Sequence, residues 1–163
     1  MNSVPYHDYQ IPKRKSPAEI ELASVPRRKI HLFLSQIGSD PGHLEAPSQL
    51  LNQATSFLPV VEEDDTCSFV YVPNILVLTV PLELEAGGPF AAELHEDSAM
   101  SANVTIRIEG GTTIGGKVLY IMPEGQQRVS DFLNRGTDFI PVRDGESVHL
   151  INRYKIVQVK EQH

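Results

Sequence analysis

Hydrophobic and polar residues alternate with a period of two over much of this chain, the pattern of strands buried on one face. It is clearest where Val104, Ile106 and Ile108 alternate with Thr105, Arg107 and Glu109. Ile20-Glu21-Leu22 alternates in the same way, and residues 29–34 do so before filling in. Further strands are predicted at 57–61, 68–72, 75–80, 117–122, 139–142, 147–151 and 154–159. Turn residues separate them: Val25-Pro26-Arg27, the loop 37–47, the acidic run 62–65, Pro73-Asn74, residues 110–113, Asp144-Gly145 and Asn152-Arg153. Two short helices interrupt the pattern. Ser48 is placed as the N-cap of 49–52, and Ser130 as that of 131–133, where Asp131 suits the positive first turn. Asn134 or Gly136 is expected to end the second.

The two helices belong to two versions of one segment. Residues 48–60 and 130–142 match at seven of thirteen positions, among them Ser48/Ser130, Asn52/Asn134, Phe57/Phe139 and Pro59/Pro141. The chain therefore reads as a tail that is mobile at 1–17, a divergent first repeat at 18–80, an acidic Gly/Ala/Pro linker at 81–103 with a helical turn at 91–94, and a second repeat at 104–160. The expected fold is mainly β: two tandem five-stranded barrel-like repeats, each with one short helical turn whose apolar residues, Phe132 and Leu133 in the second, plug an open end.

That outline is similar to Sm-like and SH3-like barrels. The run R-x-S-D-F-L-N followed by F-I-x-V, carried by Arg128, Ser130, Asp131, Phe132, Leu133, Asn134 and then Phe139, also resembles a small uncharacterised family of bacterial β-domains. The resemblance covers 104–160 well and 18–80 poorly, and it brings no site residues with it.

Charge refines this picture. Residues 81–103 hold five acids and no bases, whereas 104–163 hold seven acids and eight bases, so the net charge of −7 is concentrated ahead of the second repeat. Cys67 is the only cysteine, which excludes an internal disulfide and points to a reducing cytoplasm. No apolar run approaches the roughly 20 residues of a bilayer span.

Candidate chemistry is sparse. Residues 111–118 match G-x-x-x-x-G-K, but Val118 stands where a phosphate loop needs a hydroxyl, and the segment continues as a strand. The six histidines lack ligand spacing, so neither a metal nor a cofactor is expected; His31 and His149 are read as hydrogen-bonded structural residues in strands. No nucleophile motif is present. Arg128, Arg135, Arg143 and Arg153 form the candidate anion or partner surface. The reading is a non-enzymatic protein-interaction or assembly/regulatory module of a bacterial protein, with self-association or a protein partner expected and nucleic acid not. The alternatives are a nucleic-acid- or nucleotide-binding small barrel, Sm-like or PilZ-like, and an enzyme of another type.

Overall fold

A computed structural model describes residues 13–39, 42–53, 56–89, 91, 100–120, 129–134 and 137–162. Its first hairpin pairs β1 (Lys13–Leu22) with β2 (Val25–Ser35), Lys13 opposite Ser35 and Leu22 opposite Val25. The basic run Lys13-Arg14-Lys15, which falls within the segment 1–17 expected to be a mobile tail, is part of a strand, paired with Ser35, Leu34 and Phe33. The turn lies at Ala23-Ser24, with Ser24 at φ 64°, rather than at Val25-Pro26-Arg27. Pro26 falls where the β1–β2 register is irregular, so its missing N–H is not needed by the ladder.

The helix α1 (Pro47–Gln53) follows, then β3 (Phe57–Val61), β4 (Cys67–Tyr71), a 3₁₀ turn at Val72–Asn74 and β5 (Ile75–Pro81). The expected linker is ordered at both ends. Pro81 closes β5, α2 (Leu82–Glu85) comes next, and β6 (Met100–Ile108) begins before residue 104. Residues 92–94 of the helical turn expected there lie outside the described residues. The chain ends with β7 (Thr113–Tyr120), α3 (Val129–Leu133), β8 (Phe139–Asp144), β9 (Ser147–Asn152), a second 3₁₀ turn at Arg153–Lys155 and β10 (Ile156–Gln162).

All ten strands belong to one antiparallel sheet in the order β10-β6-β7-β8-β9-β5-β1-β2-β3-β4. The mainly β class holds, but the sheet is not a closed barrel: it is open, with β10 and β4 at its edges. The order falls into two runs of five, each reading fifth, first, second, third, fourth strand. The runs join where β9 pairs with β5.

Two buried clusters fill the interior, and both cross that joint. The first gathers Ile20, Leu32, Leu34, Leu58 and Val60 from the N-terminal run, but also Phe139, Val148 and Leu150. The second gathers Val104, Ile106, Val118, Phe132 and Val142, but also Leu76 and Val77 of β5. From Ile75 to Val80 every residue of β5 is buried, the pattern of a strand covered on both faces. Among the described residues no helix is long and apolar enough to cross a membrane.

Candidate functional site

The joint and the two open edges are the places where this sheet offers more than core. At the joint, Thr79 of β5 stands directly opposite His149 of β9. The Thr79 hydroxyl and His149 Nδ1 are 2.8 Å apart, and His149 Nε2 lies 3.3 Å from Asp144 Oδ2. A carboxylate can only accept, so Nε2 carries the proton towards Asp144 and, in the neutral ring, Thr79 donates to Nδ1. Hydroxyl, imidazole and carboxylate are ordered as in a nucleophile–base–acid relay. Thr79, however, is buried within the ladder, and the arrangement links the two runs side chain to side chain. A few residues away, the buried Asn152 donates from Nδ2 to the carbonyls of Ile75 (2.9 Å) and Pro73 (3.3 Å), while its Oδ1 accepts from Tyr154 N (3.0 Å).

An open groove of about 630 Å³ runs beside the joint, with Arg27, Lys29, His31, Thr79, Asp144 and His149 among its lining. Arg27 there is paired with Glu19. A second groove, of about 730 Å³, lies along β6, β7 and β10, lined by Asn103, Thr105, Lys117, Arg143, Asp144 and Glu146 among others. Gly116 borders this second groove because β7 and β8 approach closely there. A Cβ on it would sit 2.6 Å from the Arg143 carbonyl and 2.7 Å from Val142 Cγ1. This glycine of the phosphate-loop-like run therefore serves strand packing.

The edge strand β4 turns Val70 inward and Phe69 and Tyr71 outward, as alternation requires. Phe57 of β3 pairs with Tyr71, ring centroids 5.3 Å apart, so three exposed aromatic rings share this face. The β3–β4 turn, at the other end of the hairpin from the Phe57–Tyr71 pair, is pinned by a fork: Arg28 Nε donates to Glu62 Oε1 at 2.8 Å and Nη2 to Oε2 at 3.1 Å, with the Ser68 hydroxyl also donating to Oε2. The Arg28 bond, then that from Ser68, holds the Glu62 carboxyl below its ordinary value of 4.5. At the other edge, Val157 of β10 and Tyr154 just ahead of it are exposed.

Two of the four candidate arginines, Arg143 and Arg153, are among the described residues. Arg143 lines the second groove and donates from Nε to the Gly145 carbonyl at 3.2 Å. Arg153 sits in the 3₁₀ turn before β10, its Nε and Nη2 buried without a hydrogen-bond partner among the described residues. Arg128 and Arg135 lie outside the described residues, as does Gly136.

The residues of the helical signature lie in and around α3. Ser130 is exposed and, rather than capping the helix as expected, lies inside it after Val129; its carbonyl accepts from Asn134 N (3.1 Å) and Nδ2 (2.8 Å). Asp131 is half-buried in the first turn, Phe132 is buried in the second cluster, and Leu133 packs against it. Phe139, from the same signature, packs into the first cluster.

Sequence reasoning missed Thr79, Asn152 and Glu85. Ser48 is a helix residue rather than a cap: its amide donates to Glu85 Oε1 and its hydroxyl to Oε2, both at 2.7 Å. Burial pushes the Glu85 carboxyl above its ordinary value, against the pull of these two bonds. Among the described residues no three His, Cys, Asp or Glu side chains are grouped as a metal ion would require.

Comparison with protein-family models, with curated proteins and with solved structures finds no match for this chain.

Proposed function

We propose that this chain is a non-enzymatic assembly module, built of two like five-stranded units fused edge to edge, that works through its two open strand edges. The observation that carries the reading is the apolar load at those edges. Phe57, Phe69 and Tyr71 beside β4, and Tyr154 and Val157 at β10, account for five of the seven large exposed hydrophobics among the described residues. Edge strands carry unpaired amides and carbonyls that template pairing with another chain, and exposed aromatic rings add contact area.

Pairing registers support the likeness of the two units. Ile20 faces Leu78 and Leu22 faces Ile75, with an irregularity just before the second pair; Ile106 faces Val159 and Ile108 faces Ile156, with an irregularity at the same place. His31 opposite Val61 is matched by Lys117 opposite Arg143, and Phe57 opposite Tyr71 by Phe139 opposite Asn152.

A photocrosslinking amino acid placed at Phe69 or at Val157 tests the reading in the native host. Protein adducts are expected at both edges, insensitive to nuclease, and absent from Val25, which is exposed on an interior strand. Adducts lost on nuclease treatment, together with salt-sensitive binding of a mixed-sequence RNA, would instead support the nucleic-acid alternative.

A further inference from the structure

We infer that copies of this chain associate head to tail, β10 of one chain adding antiparallel to β4 of the next in the register that β9 and β5 use within the chain. This rests on the assembly reading above and names its partner as a second copy.

The joint within the chain sets the fifth strand of one run, β5, against the fourth strand of the other, β9. Such a contact is heterologous, since its two surfaces differ, and it leaves one unused copy of each surface at the far ends. Here those are β10, a fifth strand, and β4, a fourth strand.

Burial agrees with this. The matched registers place Leu76 of β5 where Val157 stands in β10, and Leu150 of β9 where Phe69 stands in β4. Leu76 and Leu150, at the joint, are 4% and 0% exposed; Val157 and Phe69, at the open edges, are 62% and 68% exposed. The same positions are apolar in both runs, but only the joined pair is covered.

The hairpin turns carry acids in both runs. Within the chain the β8–β9 turn brings Asp144 into a groove lined by Lys29, His31 and the Arg27–Glu19 ion pair. The corresponding groove beside β10 holds Lys117 and Arg143, along with acids of its own, Asp144 and Glu146. The β3–β4 turn of an incoming copy carries Glu62, Glu63, Asp64 and Asp65.

The register makes the inference testable. Thr79 opposite His149 and Val80 opposite Val148 become Lys160 opposite Ser68 and Glu161 opposite Cys67 of the next copy. Directly opposed Cβ atoms in an antiparallel pair are about 4.5–5.5 Å apart, near the span of a disulfide. Cys67 is exposed and is the chain's only cysteine, so Glu161→Cys adds a single potential partner.

The experiment takes the full-length chain at tens of micromolar, oxidises it gently and reads non-reducing gels. Glu161→Cys is expected to give roughly ten-fold more intermolecular disulfide than Lys160→Cys or Gln162→Cys, because a one-residue slip turns the side chain to the other face. The products should extend beyond a dimer, as a ladder or a closed ring, and vanish in Glu161→Cys with Cys67→Ser. Wild-type protein should sediment as an oligomer, and Phe69→Lys, at an exposed position, should return it to a monomer that keeps the wild-type β-sheet circular dichroism and melts cooperatively, at the temperature wild type approaches on dilution. Equal crosslinking by all three cysteine variants would overturn the inference, as would Cys67–Cys67 dimers formed just as readily by wild type. A wild-type monomer whose Phe69 photocrosslinks to a different host protein would overturn head-to-tail association yet leave the assembly reading standing. Edges that capture nothing would end both.

Discussion

Glu85 is a carboxyl group in an apolar setting whose two oxygens are fully engaged by Ser48, and its chemistry sets a prediction at the scale of one residue. Removing it in Glu85→Ala strands a buried amide and a buried hydroxyl, which costs about 1–3 kcal/mol for each group left unsatisfied. Denaturant melts would show the loss. Because the native value is raised, the folded chain holds this proton to higher pH than the unfolded chain does. Its stabilising contribution is therefore greatest at low pH and is lost as pH rises through the native value. Glu62 runs the other way: its contribution is present above about 4.5 and is lost as pH falls through its lowered native value. Stability-against-pH curves for Glu85→Gln and Glu62→Gln should thus differ from wild type with opposite slopes. Neither role could be read from the sequence. Ser48 precedes a helical pattern and so looks like a cap, and its partner lies 37 positions away in a segment that reads as linker.

At the scale of elements, the short helix α3 is held by one side chain. Phe132 is buried among Val129, Val118 and Val142, and five residues of helix have too few hydrogen bonds to stand alone. Phe132→Ala is expected to cost about 3–5 kcal/mol through the cavity it leaves. A melting temperature close to wild type would show that α3 is not a plug. This element was legible because its signals are local: polar residues ahead of two apolar ones, then an asparagine suited to ending the helix, which bonds back to the Ser130 carbonyl. The strands were legible for the same reason, as alternation survives wherever one face is buried. The first turn was misplaced because Pro26 is a strong local signal, whereas the irregular register that tolerates it is set by pairing with β1. The basic run at 13–15 was misread in the same manner: its charges project from an exposed strand end, and nothing local marks them as paired.

At the scale of the molecule, what no local pattern could convey is that the two runs share one sheet. The apolar stretch Ile75 to Val80 reads as a strand, but only the ladder reveals that β9 covers its outer side. The consequence is a core divided by sequence differently from how it is divided in space. Leu150 belongs to the C-terminal run and packs in the cluster built mainly from the N-terminal run, while Leu76 and Val77 do the reverse. Parting the runs would expose Phe139, Val148 and Leu150 on one side and Leu76 and Val77 on the other, which is a large apolar area to give up. Unfolding is therefore expected to be a single transition, with hydrogen exchange in β2 and β8 rising together as denaturant is added. Leu150→Ala should lower the stability read at both strands equally, by about 2–5 kcal/mol. If β8 opened first and β2 kept its wild-type protection, the two runs would be independent folding units tied by a strand pair, and the joint would be a weak model for contact between copies.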